Sequence, residues 1–494
     1  MMEENLNQLK PKEIARHNRA YYAWYYLGLD VPPHQEEWYD LVFQHNREFL
    51  LSPRGHGKTM FLPRTVLEHQ CLFNKNYNSL IISKTFKQAG KTLKVVQADL
   101  EKNKLILRDF GEELEDYSAV GNQIWFNLDE EENILRDATV EGNGLLGDIT
   151  GGHFDFIVLD DIIDDANCLT PDSRRKVMEW VQGTIIPMLK PGGYIAGIGT
   201  RKHYDDAYQE MINSPGWYVI QQKAILQMPK SFEYVYKTID GQQVAVGITN
   251  VVGNYKVLWH DVWSLELLLL EKKAMGSILF DREYNNDVSQ LKGRLLKDFW
   301  LKRYAIHEIN TNEDVKLAPP INTMTVYQGW DLAIREKETS DYIVCTTIGI
   351  TPKNEIYVLD WFRDKMAFPN QVKQVKILYD EFTPERIGIE TNAYQLALKQ
   401  QVLSERILPI KEIESVKNKI ERIILSSVNY ENGLVYVPID HPYYNAFMEE
   451  YRIFFEKGHH NDMLDSMDMA MRLVLEPKTI KFQRGLRSSV VHAR

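Results

Sequence analysis

Three cysteines in 494 residues, Cys71, Cys168 and Cys345, lie far apart and form no CxxC pair. That scarcity excludes a disulfide framework and a cysteine-rich zinc site, and it points to a reducing, cytoplasmic setting. Nowhere is there a run of about 18 apolar residues, so no helical membrane span is expected. The opening stretch MMEENLNQLKPKEIARHNRA has no apolar centre of the kind a secretory signal needs. Internal repeats and long low-complexity segments are also missing. Positive charge is in deficit, with a formal net charge of -11. A surface that coats nucleic acid everywhere would carry the opposite sign. A local basic groove is still allowed, because phosphate contacts need only a few placed Lys and Arg. Carboxylates kept for metal binding would themselves push the total negative.

What is present suits a globular enzyme, with 44% hydrophobic and 26% charged residues. The length exceeds one typical core, so two or three domains are expected. The stretch to about Asp30 reads helical and is rich in Tyr and Trp. From Glu48 onward, short apolar runs alternate with amphipathic helical stretches: FLL (49–51), SLIIS (79–83), FDFIVLD (154–160) and YIAGIGT (194–200). Runs that carry chemistry at their C-terminal ends suggest parallel strands of an α/β sheet. A helical segment over 264–287 follows, and the polar stretch 307–322, with its Pro pair, reads as a linker or loop.

A second pattern starts at Met324. TVYQGWDLA, DYIVCTTIGI and EIYVLDWF read as three consecutive strands, the last two joined by a turn at 351–354. A helix over 369–382, a strand RIGIE (386–390), another helix and a strand VYVPI (435–439) complete a mixed α/β domain. The end, 478–494, carries five Lys or Arg and no acid, which reads as a flexible basic tail.

SPRGHGKT (52–59) follows an apolar strand and precedes helical sequence, the context that makes a phosphate-binding loop credible. Ser52, Pro53, Arg54, Gly55, His56, Gly57, Lys58 and Thr59 would form it. Gly55 and Gly57 let backbone N–H groups turn toward phosphate. Lys58 brings charge to the β/γ oxygens, and Thr59 offers a hydroxyl to Mg²⁺. Ser52 stands where the usual pattern has its first Gly. FIVLDD (156–161) is an apolar strand ending in two carboxylates: Asp160 to hold Mg²⁺ through water, Asp161 to polarise the attacking water. Asp161 is one methylene shorter than the Glu that many motors use. Asp164 and Asp165 read as solvated loop acids or N-cap residues. A third element, GIGTRKHYDDAY (197–208), ends another expected strand.

In the second pattern, Asp331 falls in the middle of an expected strand among apolar neighbours, where a lone carboxylate is costly unless paired or metal-bound. Glu390 ends a strand. Asp462 and Asp465, three apart in HHNDMLDSMDMA (459–470), face one way on a helix. Two strand acids and one helix acid are the arrangement of an RNase H-like nuclease using two divalent ions, Mg²⁺ or Mn²⁺.

PRGHGKT, then VLDD, then GTRKHYDD, followed by those acids, resembles the large terminase subunit of tailed phages over about residues 30 to 470. The resemblance implies an α/β chain with an N-terminal P-loop (RecA/ASCE-like) ATPase domain over 1–300, a C-terminal RNase H-like nuclease domain over 301–477 and a basic tail over 478–494. It implies that Thr200 and Arg201 form a coupling motif that senses the γ-phosphate. Arg54 becomes a candidate arginine finger, with a structural ion pair as the other reading, and Arg136 a candidate finger donated to a neighbouring subunit. Gln35 in PPHQEEW (32–38) becomes a candidate reader of adenine, against an exposed polar residue at a helix start. The family's third nuclease position often reads H-D-D, but here it is His460-Asn461-Asp462. The third ligand therefore passes to Asp462, with Asp465 as the alternative, and Asp341 either touches metal or only shapes the hairpin. The implied partners are double-stranded DNA, a portal protein, a small terminase subunit and further copies in a ring, taken as a pentamer on the procapsid. No membrane is involved. The implied location is the host cytoplasm, transiently at the portal vertex and not in the mature virion. For the tail, docking to the portal or to DNA stands beside a simple disordered end. A helicase-like remodelling ATPase and an RNase H-like resolvase or recombinase are the other classes to exclude.

Overall fold

The computed structural model describes residues 10–74, 77–115, 117–126, 138–149, 152–168, 170–239, 241–292, 295–307, 315–332, 342–390, 408–413, 419–454 and 461–474. Arg136, Asp341, His460 and the basic tail 478–494 lie outside the described residues. The chain divides into two units, Met1–Tyr236 with Ala245–Gly293, and Lys237–Val244 with Arg294–Arg494.

The first unit is built on an eight-stranded sheet in the order Ser118–Val120, Gln123–Trp125, Val140–Gly144, Ser79–Ser83, Phe154–Asp160, Leu189–Gly199, Arg47–Leu51, Tyr218–Gln221. Its central strands are parallel and buried on both sides, which is why they read as unbroken apolar runs rather than as alternation. Successive side chains still part to opposite faces. Leu50, Ile81, Phe156, Val158 and Ile198 enter one core, and Phe49, Leu51, Leu80, Ile82, Ile157 and Leu159 enter the other. The strand Leu189–Gly199 lies between the strand that leads into 52–59 and the strand that ends at Asp160. That insertion is the RecA/ASCE-like order. Register places Leu51 beside Gly199 and Asp160 beside Ile198, so the three motif loops leave the sheet at one edge.

Three expectations change here. The strand expected at 194–200 runs over Leu189–Gly199. The single helix expected over 264–287 is two, Leu265–Met275 and Ser277–Asn285, parted at Gly276, whose φ of 81° no helix continues through. A two-stranded ribbon, Ser231–Ile239 with Gln242–Val252, was not anticipated.

The second unit carries a sheet in the order Lys316–Leu317, Lys302–Ala305, Val435–Pro438, Ile356–Asp364, Ile343–Ile350, Thr325–Asp331, Arg386–Glu390, Ile410–Ile413. The three strands expected in succession pair antiparallel, closed at Thr351 N to Glu355 O (3.0 Å). Arg386–Glu390 then adds parallel to the first of them, and Ile410–Ile413 parallel beyond it. Three antiparallel strands followed by two parallel ones on the side of the first is the RNase H-like order. Part of the expected linker is instead edge strand, since Lys316–Leu317 pairs with Lys302–Ala305. The helix Phe368–Phe382 covers one face through Val372, Val375 and Leu378, packed with Trp330, Ile343 and Ile389.

The helix Asp462–Val474 covers the other face, and glycine sets its distance. A Cβ on Gly329 would stand 2.0 Å from Ser466 O and 2.4 Å from Ala470 N. The helix backbone therefore lies directly on the strand, pinned by Thr346 Oγ1 and Ser466 Oγ at 2.6 Å.

Candidate nucleotide and carboxylate sites

In the first unit the three motif loops line one open cleft of about 640 Å³. Arg54, Gly55, Gly57, Lys58, Thr59, Asp160, Asp161 and Thr200 all face it. Ser52 extends the sheet through its N–H to Gly199 O (3.2 Å) and has no left-handed backbone, so a Cβ is tolerated where the usual pattern has glycine. Pro53 O and Ser52 O accept from Lys58 Nζ at 3.1 and 2.6 Å, and Thr200 Oγ1 accepts from it at 2.8 Å. Burial lowers the Lys58 ammonium to about 8. Asp160 accepts from Ser83 Oγ (3.1 Å), and burial, with Asp161 adding to it, raises its carboxyl to about 6. Asp161 stands in the left-handed region, φ 49°, its N–H held by Ile198 O at 2.9 Å, and is exposed. Left-handed backbone at a non-glycine residue is strained and turns this carboxylate out of the strand line into the cleft.

His56 does not face the cleft. Its Nδ1 lies 3.0 Å from Arg54 O, its ring stacks on Trp263 at 6°, and burial lowers it to about 4. Gln35 is buried, so it is not an exposed residue at a helix start. Its amide donates to His56 O at 3.2 Å and lies where a Cβ on Gly57 (φ 90°) would stand, only 2.2 Å away. Gln35 thus braces the loop from behind and is absent from the cleft lining. To read a base, its amide would have to leave His56.

Arg201 lies off the cleft. It is buried, bonded through Nε to both Asp206 oxygens at 3.1 Å and through Nη2 to His203 O and Gln209. A guanidinium so committed anchors the loop and does not reach the cleft. The neighbouring Lys202 does, and the sequence reading passed over it. Asp164 and Asp165 are loop acids, as expected, the second 45% exposed. They line the cleft, paired with Lys84 and with Arg282 (2.9 Å), and the following helix is capped by Thr170. Arg54 is exposed, with Nη1 3.8 Å from Glu283, so an ion pair exists but is long. Glu283 was also missed, since nothing in its local sequence marks it.

In the second unit Asp331 is the last residue of its strand, not a mid-strand residue, and is half-buried. Gly329 faces the helix Asp462–Val474, and Asp331, two residues on, shares that face. Gly388 meets Leu473 of the same helix, which puts Glu390 on the same side. Trp330 pairs with Ile389, so Asp331 and Glu390 follow side by side on neighbouring parallel strands. Gly329 meets Ser466 and Ala470 while Tyr327 packs at Met469 and Leu473, so the helix runs against the strand and brings its Asp462 end toward Asp331. Asp465 lies one turn further along.

Among the described residues no three of these acids converge as a ready-made metal cluster. A guanidinium stands among them. Arg422 lies 4.0 Å from Glu390, 3.5 Å from Asp465 and 3.8 Å from Asp468. Burial raises Asp468 to about 6. Arg422 and Asp468 were both missed. Asp468 was within reach, as the next step of the three-residue spacing from Asp462 and Asp465. Arg422, on the helix Lys419–Glu431, was not. Oxygen-only donors on one face suit a hard divalent cation in type, provided the guanidinium gives way.

Fold and sites define a unit of P-loop type joined in one chain to an RNase H-like unit that carries several carboxylates on one sheet face. Residues 328–473 match the family model of the Terminase RNaseH-like domain, and in this the chain is similar to phage large terminases. No curated protein matches the sequence. Among solved structures, a large terminase from a thermophilic bacteriophage aligns at 9% identity and TM-score 0.48, covering 94% of this chain and 98% of that one. The HK97 bacteriophage large terminase aligns at 13% identity and TM-score 0.31, covering 90% and 95%. The large terminase nuclease of thermophilic phage G20c, with bound zinc, aligns at 17% identity and TM-score 0.27, covering 35% and 94%.

Proposed function

We propose that the chain is a large terminase subunit. In this reading it is an ATP-driven motor that moves double-stranded viral DNA into a procapsid, and a metal-dependent endonuclease that cuts concatemeric DNA. One observation carries the reading: a P-loop cleft is followed in the same chain by an RNase H-like sheet whose residues 328–473 match the terminase model.

In the cleft, Lys58 would leave the Ser52 and Pro53 carbonyls for the β/γ oxygens of ATP, keeping Thr200 as its link to the third loop. Thr59 and Asp160 would hold Mg²⁺, and Asp161 would orient the attacking water. Arg54, exposed at the rim and only 3.8 Å from Glu283, would leave that long ion pair to swing toward transition-state charge. Arg201 would act by fixing the loop that carries Thr200 and Lys202. On the nuclease face, Asp331, Glu390 and Asp462, with Asp465 beside them, would hold two Mg²⁺ or Mn²⁺ ions once Arg422 is displaced. Such ions activate water and stabilise the leaving oxygen. The partners would be the portal, the small subunit and further copies of the chain in a ring of five, with the host cytoplasm and the portal vertex as the place of action.

A helicase reading needs a second RecA-like lobe, and the second unit has the RNase H-like order instead. A resolvase has no use for Lys58, Asp160 and Thr200 converging on one cleft. The test is a crossed pair of variants. Lys58→Ala should abolish ATP hydrolysis yet leave Mn²⁺-dependent plasmid cleavage, and Asp331→Asn should do the reverse. Normal cleavage by Asp331→Asn would remove the nuclease assignment, and normal ATP hydrolysis by Lys58→Ala would remove the motor.

A further inference from the structure

Four cationic side chains (Arg54, Lys58, Lys84, Lys202) and five acidic ones (Asp160, Asp161, Asp164, Asp165, Glu283) line the cleft. A triphosphate entering such a site must win some of its cations from acids that already hold them. Lys84 is held by Asp164, while Lys58 has backbone carbonyls and a hydroxyl as its hydrogen-bond acceptors. Lys202 is held by Glu283, Nζ to Oε1 at 2.6 Å, with the two side chains only 13% and 7% exposed. Little water screens that pair.

Glu283 sits far along the chain from every sequence motif, near the end of the helix Ser277–Asn285, and the segment around it touches all three motif loops. Its carbonyl accepts from Arg54 N at 2.9 Å in the phosphate loop. Arg282 reaches Asp165 in the loop after Asp160. Asn286 Oδ1 accepts from Arg201 N at 3.0 Å, next to Thr200. One short segment therefore clasps the loop that would cradle phosphate, the loop that would hold Mg²⁺ and the loop that would sense hydrolysis.

We infer that Glu283 is a positioning residue that stores Lys202 on its carboxylate and yields it to the terminal phosphate of a bound nucleoside triphosphate. This rests on the ATPase reading of the cleft and adds a residue and a step to it. Release of Lys202 breaks the shortest bond between the segment 282–286 and the Thr200 loop, so occupancy of the terminal phosphate position is passed to the helix Ser277–Asn285. A diphosphate, lacking the terminal group, leaves the Lys202–Glu283 pair closed.

The experiment is equilibrium binding of fluorescent ATPγS and ADP analogues to the full chain with Mg²⁺. Glu283→Gln keeps the side-chain shape and removes the charge that competes with phosphate. It should bind the ATPγS analogue about 5- to 10-fold more tightly with ADP affinity unchanged. Lys202→Met, approached from the other side, should weaken ATPγS binding and spare ADP, and it should erase the gain when combined with Glu283→Gln. A purely structural Glu283 would leave both affinities unchanged or weaken both together, and either result overturns the inference. Should Glu283→Gln fail to fold, Lys202→Met binding ATPγS as the parent does would overturn it alone. Absence of nucleotide binding by the unaltered chain would instead sink the ATPase reading, a result distinguishable from all of these.

Discussion

Replacing Gly329 by Ala adds one methyl group in the tightest place between sheet and helix in the second unit. The new Cβ would stand 2.0 Å from Ser466 O, 2.4 Å from Ala470 N and 3.0 Å from the Met469 Cβ. Two of these are backbone atoms of a helix, so no rotamer change relieves them. Ordinary contact begins at about 3.5 Å, so the helix Asp462–Val474 must retreat by roughly 1.5 Å or tilt by an equivalent amount. Gly329 has no left-handed backbone, so the whole effect is steric. Overpacking of this kind costs about 1–3 kcal/mol. The larger consequence is for chemistry, because Asp462 and Asp465 ride on the displaced helix while Asp331 and Glu390 stay on the strands. A misplacement of about 1 Å at a reacting centre can lower a rate about 100-fold. Gly329→Ala should therefore cut Mn²⁺-dependent plasmid cleavage by about two orders of magnitude, with ATP hydrolysis by the same preparation unchanged. Cleavage within twofold of the parent, in a protein whose urea transition has shifted as expected, would refute the idea that this contact positions the acids.

Two other outcomes follow from buried charge. Arg201→Ala removes the buried Asp206 carboxylate's ion-pair partner and leaves it the N–H groups of Lys202, His203 and Gln209. It should destabilise the first unit by about 1.5–3 kcal/mol in urea unfolding, whereas a guanidinium that only touched phosphate would change kcat and leave the unfolding midpoint alone. Glu48, in the strand before the phosphate loop, accepts from Phe43 N at 2.5 Å, and burial raises it to about 7. The folded state then holds a proton that the unfolded chain releases near pH 4.5, so this group's stabilisation is present below that pH and is lost as pH climbs through 7. Glu48→Gln, which keeps the acceptor, should flatten the decline of the urea midpoint between pH 5 and 7.5 (assay values, about 2 kcal/mol after discounting partial exposure). An unchanged slope would place the proton elsewhere.

Much of the cleft was legible because its residues are local in sequence. A phosphate loop needs glycine, lysine and a hydroxyl within a few positions, and each motif follows its own apolar strand. The three loops meet because parallel strands end at one edge, a rule that the run pattern already implies. The place of Arg201, off the cleft, was not legible for the opposite reason. Its type and place beside Thr200 suit a sensor, but whether a guanidinium points at phosphate or at Asp206 depends on a loop fold that spacing does not encode. Gln35 differs in the same way, its amide turned under Gly57.

By itself, the sequence determined most of the core strands, that Asp160 and Glu390 end theirs, and the order of the two folds, since these depend on periodicity and on residues close in the chain. Only the tertiary structure brought Lys202 to Glu283 and set Arg422 among Glu390, Asp465 and Asp468. Charges partner across sheets and helices wherever packing leaves them within a few ångströms, and that distance depends on neighbours such as Gly329 that carry no charge at all.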